Sequence, residues 1–401
     1  MTLRRRSPWL ALVLVAALGA CDDVGPTAPS QTGTTRLTLS ATLASGEEAT
    51  WCQYLLPAQG TTDGVSIQAI AHTSAGGGAT HHIIWYQMAE TPASVAGQLA
   101  PFRCDDGVHL RKVGILYAPP AASGTLRWPD DVAAHLEPDA VTLVEWHAIN
   151  YHATAVETSV HLDLTQPPAP ARLRAGTLLF YDWFVHLPPA ARHTARTRCR
   201  IRDDVTLMWA SQHMHQRGIG FTATLLDARG EPVRELLQTD SWDADARWFE
   251  VGIPLSRGQW VEFACTYDNP DDYAVIEGDR VDDEMCMFVG GYYPQIAAPL
   301  GETCALGEGS GPRFDGDATC AESLSCLADA SDRVSAHACW NDTRGEDSAA
   351  LVELAWRCAS AECPDSCRRD GFSTACLSCL DTACGGAMTA CTASADMSNA
   401  L

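Results

Sequence analysis

Positive charge is scarce in this 401-residue chain: 27 lysines and arginines face 50 aspartates and glutamates, a net charge of −23. That balance argues against nucleic acid or anionic lipid as a partner, since both call for a basic surface. Long apolar runs are also missing past residue 21, so nothing in the body of the chain is built to cross a bilayer as a helix. Helical periodicity is lacking between about residues 35 and 304, where short runs alternate with turn residues. These absences exclude a helical bundle and a polytopic helical membrane protein.

What is present begins with an address. "MTLRRRSPWLALVLVAALGAC" has a basic start, an apolar stretch shorter than a membrane span, and small residues up to Cys21. "LGAC" resembles the lipobox of bacterial lipoproteins, which implies a signal peptide over 1–20 and lipidation of Cys21. Residues 21–34 then have the composition of a flexible tether. The expected location is the bacterial cell envelope, with the membrane touched only through the lipid. The chain holds 17 cysteines, and setting Cys21 aside leaves an even number, as full disulfide pairing in an oxidising compartment requires.

About 380 residues follow the leader, enough for two or three domains. Runs such as "TRLTLSATL", "HHIIWYQM" and "TSVHLDL" over 35–165 read as short strands of an antiparallel sandwich. "TQPPAPARLRAG" is a proline-rich boundary, and a second β set occupies 166–305. The predicted fold is therefore all-β, with two tandem antiparallel sandwiches of jelly-roll type. Residues 306–401 form a third module, in which ten cysteines fall between 320 and 391 among alanine-rich, helical pieces. "CPDSC" and "CLSC" have spacings that suit zinc; export favours disulfides instead.

Thirteen histidines are present, and three places concentrate them. In "SQHMHQRG" His213 and His215 fall on one side of a strand, with Met214 on the other. His81 and His82 are neighbours, so they share a ligand only if the strand is bulged there, a distortion to which the preceding "AGGGAT" lends itself. "EWHAINYH" offers His147 and His152. Taken singly, each cluster reads equally well as surface or core histidines with satisfied hydrogen bonds. A fourth piece, "DDEMCMFVGGYYP", puts Met285 at the start of an aromatic strand. A thioether suits Cu(I) far better than zinc, so a His-His-Met set selects copper.

The order of these pieces from about residue 50 to 304 resembles the copper type II, ascorbate-dependent monooxygenases, the group of dopamine β-monooxygenase and the peptidylglycine hydroxylating enzymes. "ATHHIIWYQM" looks like the family's His-His motif, with Ile83 where Met is usual, and "VEWHAIN" looks like its V-H-Y-x-N. "SQHMHQRG" looks like its H-x-H-x-x-G, and "DEMC…YYP" like its methionine motif. The resemblance implies two copper ions per chain. His81, His82 and His147 would hold an electron-transfer copper, His147 being favoured over His152 by the "HAIN" match. His213, His215 and Met285 would form the catalytic centre. It also implies disulfides Cys265–Cys286 and Cys199–Cys304, leaving Cys52 to pair with Cys104 by arithmetic. His72, His109, His135, His161, His186, His193 and His337 match no ligand position.

The implied partners are O2, an electron donor such as ascorbate, and a small organic substrate. Amidating relatives carry Arg two residues before H-x-H, where this chain has Ser211, and Asn and Tyr where it has Met287 and Val289. Peptide amidation is therefore disfavoured. An amine substrate would want a carboxylate near the second centre, and Asp282, Asp283 and Glu284 are close in sequence, with their orientation open. The competing expectation is a copper-binding or electron-transfer lipoprotein without turnover.

Overall fold

The computed structural model of the chain describes residues 33–76, 79–104, 112–118, 123–242, 244, 246–278, 280, 282–296, 304, 310–364, 366–367 and 373–397. The leader, Cys21, most of the tether and His109 lie outside these residues. Among the described residues no helix is long and apolar enough to cross a membrane.

The first unit contains β1 (Thr34–Leu43), β2 (Glu48–Leu55), β3 (Val65–Ile67), β4 (Ala69–Gly76), β5 (Ala79–Met88), a capped turn α1 (Pro92–Val95) and β6 (Phe102–Arg103). It continues with β7 (Lys112–Tyr117), β8 (Gly124–Arg127), β9 (Val132–Leu136), β10 (Thr142–Ile149) and β11 (Val156–Thr165). One sheet runs β1-β11-β4-β8 and the facing one β6-β2-β10-β5-β7. Period-two patterning sets the faces: in β11 Thr158, Val160, Leu162 and Leu164 are buried, with more exposed residues between them. Their partners across the sandwich include Ile83, Trp85, Val144 and Trp146.

A two-residue strand, β12 (Leu173–Arg174), still pairs in parallel with β9, so the proline-rich connection is tied to the first unit. The second unit then comprises β13 (Gly176–Tyr181), β14 (His186–Leu187), β15 (Ala191–Arg200), β16 (Val205–His213), β17 (Gly218–Leu226) and β18 (Pro232–Thr239). β19 (Arg247–Leu255), β20 (Trp260–Asn269), β21 (Val275–Ile276), β22 (Met287–Tyr293) and the edge strand β23 (Gly311–Pro312) complete it. Its sheets run β13-β22-β16-β19 and β18-β17-β20-β15-β23.

The first of these sheets is covered on both faces. Phe288 and Tyr292 of β22 join the unit's own core, whereas the alternating residue Val289, with Met208 and Trp209 of β16, packs into the core of the first unit. This two-sided burial explains why "VTLMWA" is an unbroken apolar run rather than an alternating one. Gly291 lies at the joint, where a Cβ would stand 2.0 Å from Trp209 Nε1 and 2.5 Å from the Trp128 ring. Only glycine lets the two tryptophans meet there.

The third module is helical: α2 (Cys320–Asp329), α3 (Arg333–Asn341), α4 (Ser348–Val352), a π-helical turn (Glu353–Cys358), α5 (Ala359–Glu362), α6 (Thr374–Ala383) and α7 (Gly385–Met397). Capping boxes at Thr319/Glu322 and Asp332/Ser335 start α2 and α3. Five disulfides cross-link it: Cys320–Cys391, Cys326–Cys339, Cys358–Cys384, Cys363–Cys379 and Cys367–Cys376. "CPDSC" and "CLSC" are thus bonded to each other rather than arranged around zinc. Each bridge is worth roughly 2–4 kcal/mol, which compensates for a core this small. The fold class is as expected, all-β in two sandwiches with a small helical cysteine-rich module.

Candidate metal centres

In the first unit β10 pairs with β5 so that His147 faces His82 while the next residue, Ala148, faces Thr80. His81 is therefore an extra residue, and the register shifts at this point. A bulge sets two residues of one strand against one of the other and re-aims their side chains, which is the backbone condition for His81 and His82 to serve a single ion. The side chains of His81 and His82 lie outside the described part. Ile83, standing where the family usually has Met, is fully buried in the sandwich core on the opposite face from His147.

His147 is buried, and its Nε2 lies 2.8 Å from Glu48 Oε1. With Nε2–H donating to that carboxylate, Nδ1 carries the lone pair. His152 sits beyond the strand on an exposed turn, where its backbone N–H donates to Asn150 Oδ1. Asn150, fully buried, donates to the carbonyls of Leu43, Ala44 and Thr154 and so fixes the exit of β10. Thus His147, not His152, stands opposite His82.

In the second unit β16 ends at His213, whose Cα partner on β22 is Met287. The chain leaves the ladder there and must be held otherwise. Glu284 does this: its Oε2 accepts the His215 N–H at 2.9 Å and its Oε1 the Arg217 N–H at 2.8 Å. His215 Nδ1 lies 2.9 Å from the Asp283 carbonyl, which makes Nδ1 the donor and leaves the lone pair on Nε2. Arg217 donates to the Asp282 carbonyl and to the Asp271 carboxylate. The 213–217 turn is in this way closed onto the 282–286 segment, and the rings of His213 and His215 stand 5.5 Å apart at 87°. Met214 points away into the core, as the alternation requires.

Met285 is buried in that closed segment. Its carbonyl accepts the Tyr267 hydroxyl at 2.7 Å, and the adjacent Cys286 is bonded to Cys265. Cys199–Cys304 and Cys52–Cys104 are also formed. Burial pushes the Glu284 carboxyl up to about 7, against the pull of the N–H groups of Arg217 and His215. Among the three acidic neighbours Glu284 is fully buried and committed to the backbone, while Asp282 is exposed. Nothing in the run of acids distinguishes the buried one. Ser211 is buried opposite Val289 at the joint between units.

Among the described residues, the group of three His, Cys, Asp or Glu side chains close enough to chelate is Cys52, Cys104 and Glu145, and its sulfurs are used in the disulfide. The donor types carried by the 213–217 turn and the 282–286 segment, His213, His215 and Met285, suit copper. Two imidazoles with a thioether form a soft set. Both His147 and His215 place one ring nitrogen against an oxygen acceptor, the outer support that metal-binding histidines normally have.

These features define a two-unit β-sandwich protein in which the turn carrying His213 and His215 is closed onto the segment carrying Met285. Residues 174–305, about a third of the chain, match the family model described as copper type II ascorbate-dependent monooxygenase, C-terminal domain. The match includes His213, His215 and Met285 and supports placement in that family. No curated protein matches the chain. Among solved structures the chain is similar to the major capsid protein P2 of bacteriophage PM2, at 11% identity over 65% of this chain and 98% of that one, with a TM-score of 0.29. A structure of Sulfolobus turreted icosahedral virus aligns at 11% identity over 65% and 56%, with a TM-score of 0.18. Likeness at these scores bears on neither fold nor chemistry.

Proposed function

We propose that the chain is a copper-dependent monooxygenase that hydroxylates a C–H bond of a small organic substrate: R–H + O2 + 2 e⁻ + 2 H⁺ → R–OH + H2O. The electrons would come from an external reductant such as ascorbate. His213, His215 and Met285 would hold one copper ion and His81, His82 and His147 a second. Bound there, copper supplies the one-electron redox chemistry that O2 requires, the soft set favouring Cu(I) and the imidazole set suiting a reservoir between Cu(I) and Cu(II).

The protein's share is positioning. Asp283 holds the Nδ1 proton of His215, so that Nε2 is the nitrogen presented to a metal. Glu284 clamps the turn that carries His215, and Tyr267 with the Cys265–Cys286 bond fixes the backbone of Met285. Glu48 plays for His147 the part that Asp283 plays for His215. Ser211 and Val289, at positions where amidating relatives carry Arg and Tyr, are packed into the joint, which leaves no cationic clamp there for a peptide carboxylate. Exposed Asp282 beside the second centre suits a cationic group on the substrate.

The observation that carries this reading is the closure of 213–217 onto 282–286. The test is ascorbate-dependent O2 uptake by copper-loaded protein, stimulated by a substrate from a C–H panel. Loss of the stimulated uptake in Met285→Ala supports the reading. Two bound copper equivalents with no turnover on any substrate would instead mean a copper carrier or electron-transfer protein. We further propose that the protein is exported and anchored in the cell envelope by lipid on Cys21; pairing of all sixteen cysteines after Cys21 suits an oxidising compartment outside the cytoplasm.

A further inference from the structure

We infer that the cysteine-rich module is a clamp that positions the Met285 segment, acting through Arg333 on Glu277. The inference rests on reading His213, His215 and Met285 as a copper centre. The module is anchored by Phe184, which reaches from the loop after β13 into the helical core. Its ring lies 4.6 Å from that of Trp340, 5.1 Å from Trp356 and 5.8 Å from Phe314. Asn341 donates to the Phe184 carbonyl at 2.6 Å, and His337 Nδ1 to the Val185 carbonyl at 3.1 Å.

From this anchor the contact continues toward the site. Arg333 Nη2, on α3, donates to both the carbonyl and the Oε2 of Glu277 at 3.1 Å. Glu277 is buried, and its Oε1 accepts the Tyr181 hydroxyl at 2.5 Å. The Glu277 backbone is bridged in parallel to Glu284: Gly278 N–H donates to the Glu284 carbonyl at 3.2 Å, and Glu284 N–H to that of Ile276 at 3.1 Å. Glu284 in turn holds the N–H groups of His215 and Arg217. Hydrogen bonds thus run from a helix of the module to the backbone of one proposed ligand, and through Glu284 to its covalent neighbour Met285. Arg333 touches no proposed ligand, so it is a positioning residue. Its side chain is 47% exposed, and truncating it removes both hydrogen bonds to Glu277 together with the charge facing that carboxylate.

The test uses the full chain. Cu(I) affinity is measured by competition with a chromophoric chelator, and hydrogen exchange of the Gly278, Glu284, His215 and Arg217 amides is followed in the metal-free protein. Arg333→Ala is expected to weaken Cu(I) binding about tenfold, the low end of what outer partners of a metal contribute, and to speed exchange at those amides. Arg333→Lys should restore most of both, and Glu277→Gln should reproduce the loss. Arg192→Ala, which breaks an exposed pair between β15 and Asp268 of β20, should change neither. Unchanged exchange and affinity in Arg333→Ala would overturn the clamp. A wild-type protein that binds no Cu(I) would sink the copper reading alone, because the exchange measurement still decides the clamp.

Discussion

The two proposed centres are held in opposite ways. In the first unit His82 and His147 sit on paired strands, and register does the positioning, with one inserted residue supplying His81. The side-chain support recorded for His147 is Glu48, which is 41% exposed. In the second unit His215 and Met285 lie beyond the ladder. Their positions depend on a fully buried carboxylate, a buried tyrosine and a disulfide. Donors already fixed by strand pairing need little else. Donors that leave the strands need buried polar groups in place of the ladder, and such groups are costly to disturb.

The strongest way to break that contrast is Glu284→Ala. It removes the acceptor of two buried N–H groups, each hydrogen bond to a carboxylate being worth about 1.5–3 kcal/mol. A loss of about 3–6 kcal/mol is expected from the two bonds together, read as a fall in midpoint in urea. Copper stoichiometry should drop from two to one, with the remaining equivalent lacking sulfur ligation by X-ray absorption. Loss of both equivalents would show that the centres are not independent.

Acid should also separate them. Burial, with Arg333 nearby, lowers His337 from its ordinary 6.5 to about 4. Its contribution to stability is therefore fully present above pH 6.5 and is lost as pH falls through about 4. Two and a half units correspond to roughly 3 kcal/mol. Asp182, raised by burial to about 6, acts with the opposite sign: its share is fullest below its unfolded value and fades as pH rises through about 6. Because the module that carries His337 contacts β14, β21 and β23, acid between pH 6.5 and 4 should lower amide protection, corrected for the intrinsic pH dependence of exchange, at 276–278 and 282–286 and spare β5 and β10. His337→Gln should remove the acid limb. Equal loss of protection in both units would refute the assignment.

Some of this was legible before any coordinates. Alternation in "TSVHLDL" predicts a strand with one face buried, and β11 is that strand. The "HMH" spacing placed Met214 away from its neighbours because strands have a period of two, and the Gly-rich run before His81 matched a real register shift. Other features had no local signal. Three consecutive acids do not say that Glu284 is the buried one, since that depends on segments brought from 70 residues away. Ten cysteines allow many pairings, and His337 matched nothing because its partner is the Val185 carbonyl of another unit. The unbroken "VTLMWA" run carries a local signal of its own, that of a strand covered on both faces and hence of a joint between the units.

Gly291→Ala probes that joint. A Cβ there overlaps Trp209 and Trp128, and overpacking of this kind costs about 1–3 kcal/mol. Since the joint serves both units, copper binding to each centre should survive while the substrate-stimulated O2 uptake falls. A variant with unchanged stability would mean the tryptophans can part freely, and the shared core would not be the element that joins the units.

The smallest effect is expected at Glu48, and it sharpens the contrast most. Its partly exposed side chain makes the His147 contact weak as a source of stability, below about 1 kcal/mol for a pair open to solvent. Glu48→Gln should therefore leave the unfolding midpoint nearly unchanged. It still alters what His147 Nε2 faces: a neutral amide replaces the carboxylate that favours proton donation from that nitrogen. Copper affinity of the first centre is expected to fall about tenfold, with the second centre unaffected. A carboxylate that tunes a ligand without holding up the fold is the reverse of Glu284, whose removal should cost stability and copper together. If Glu48→Gln instead lowered stability by as much as Glu284→Ala, strand register would not be what holds the first centre.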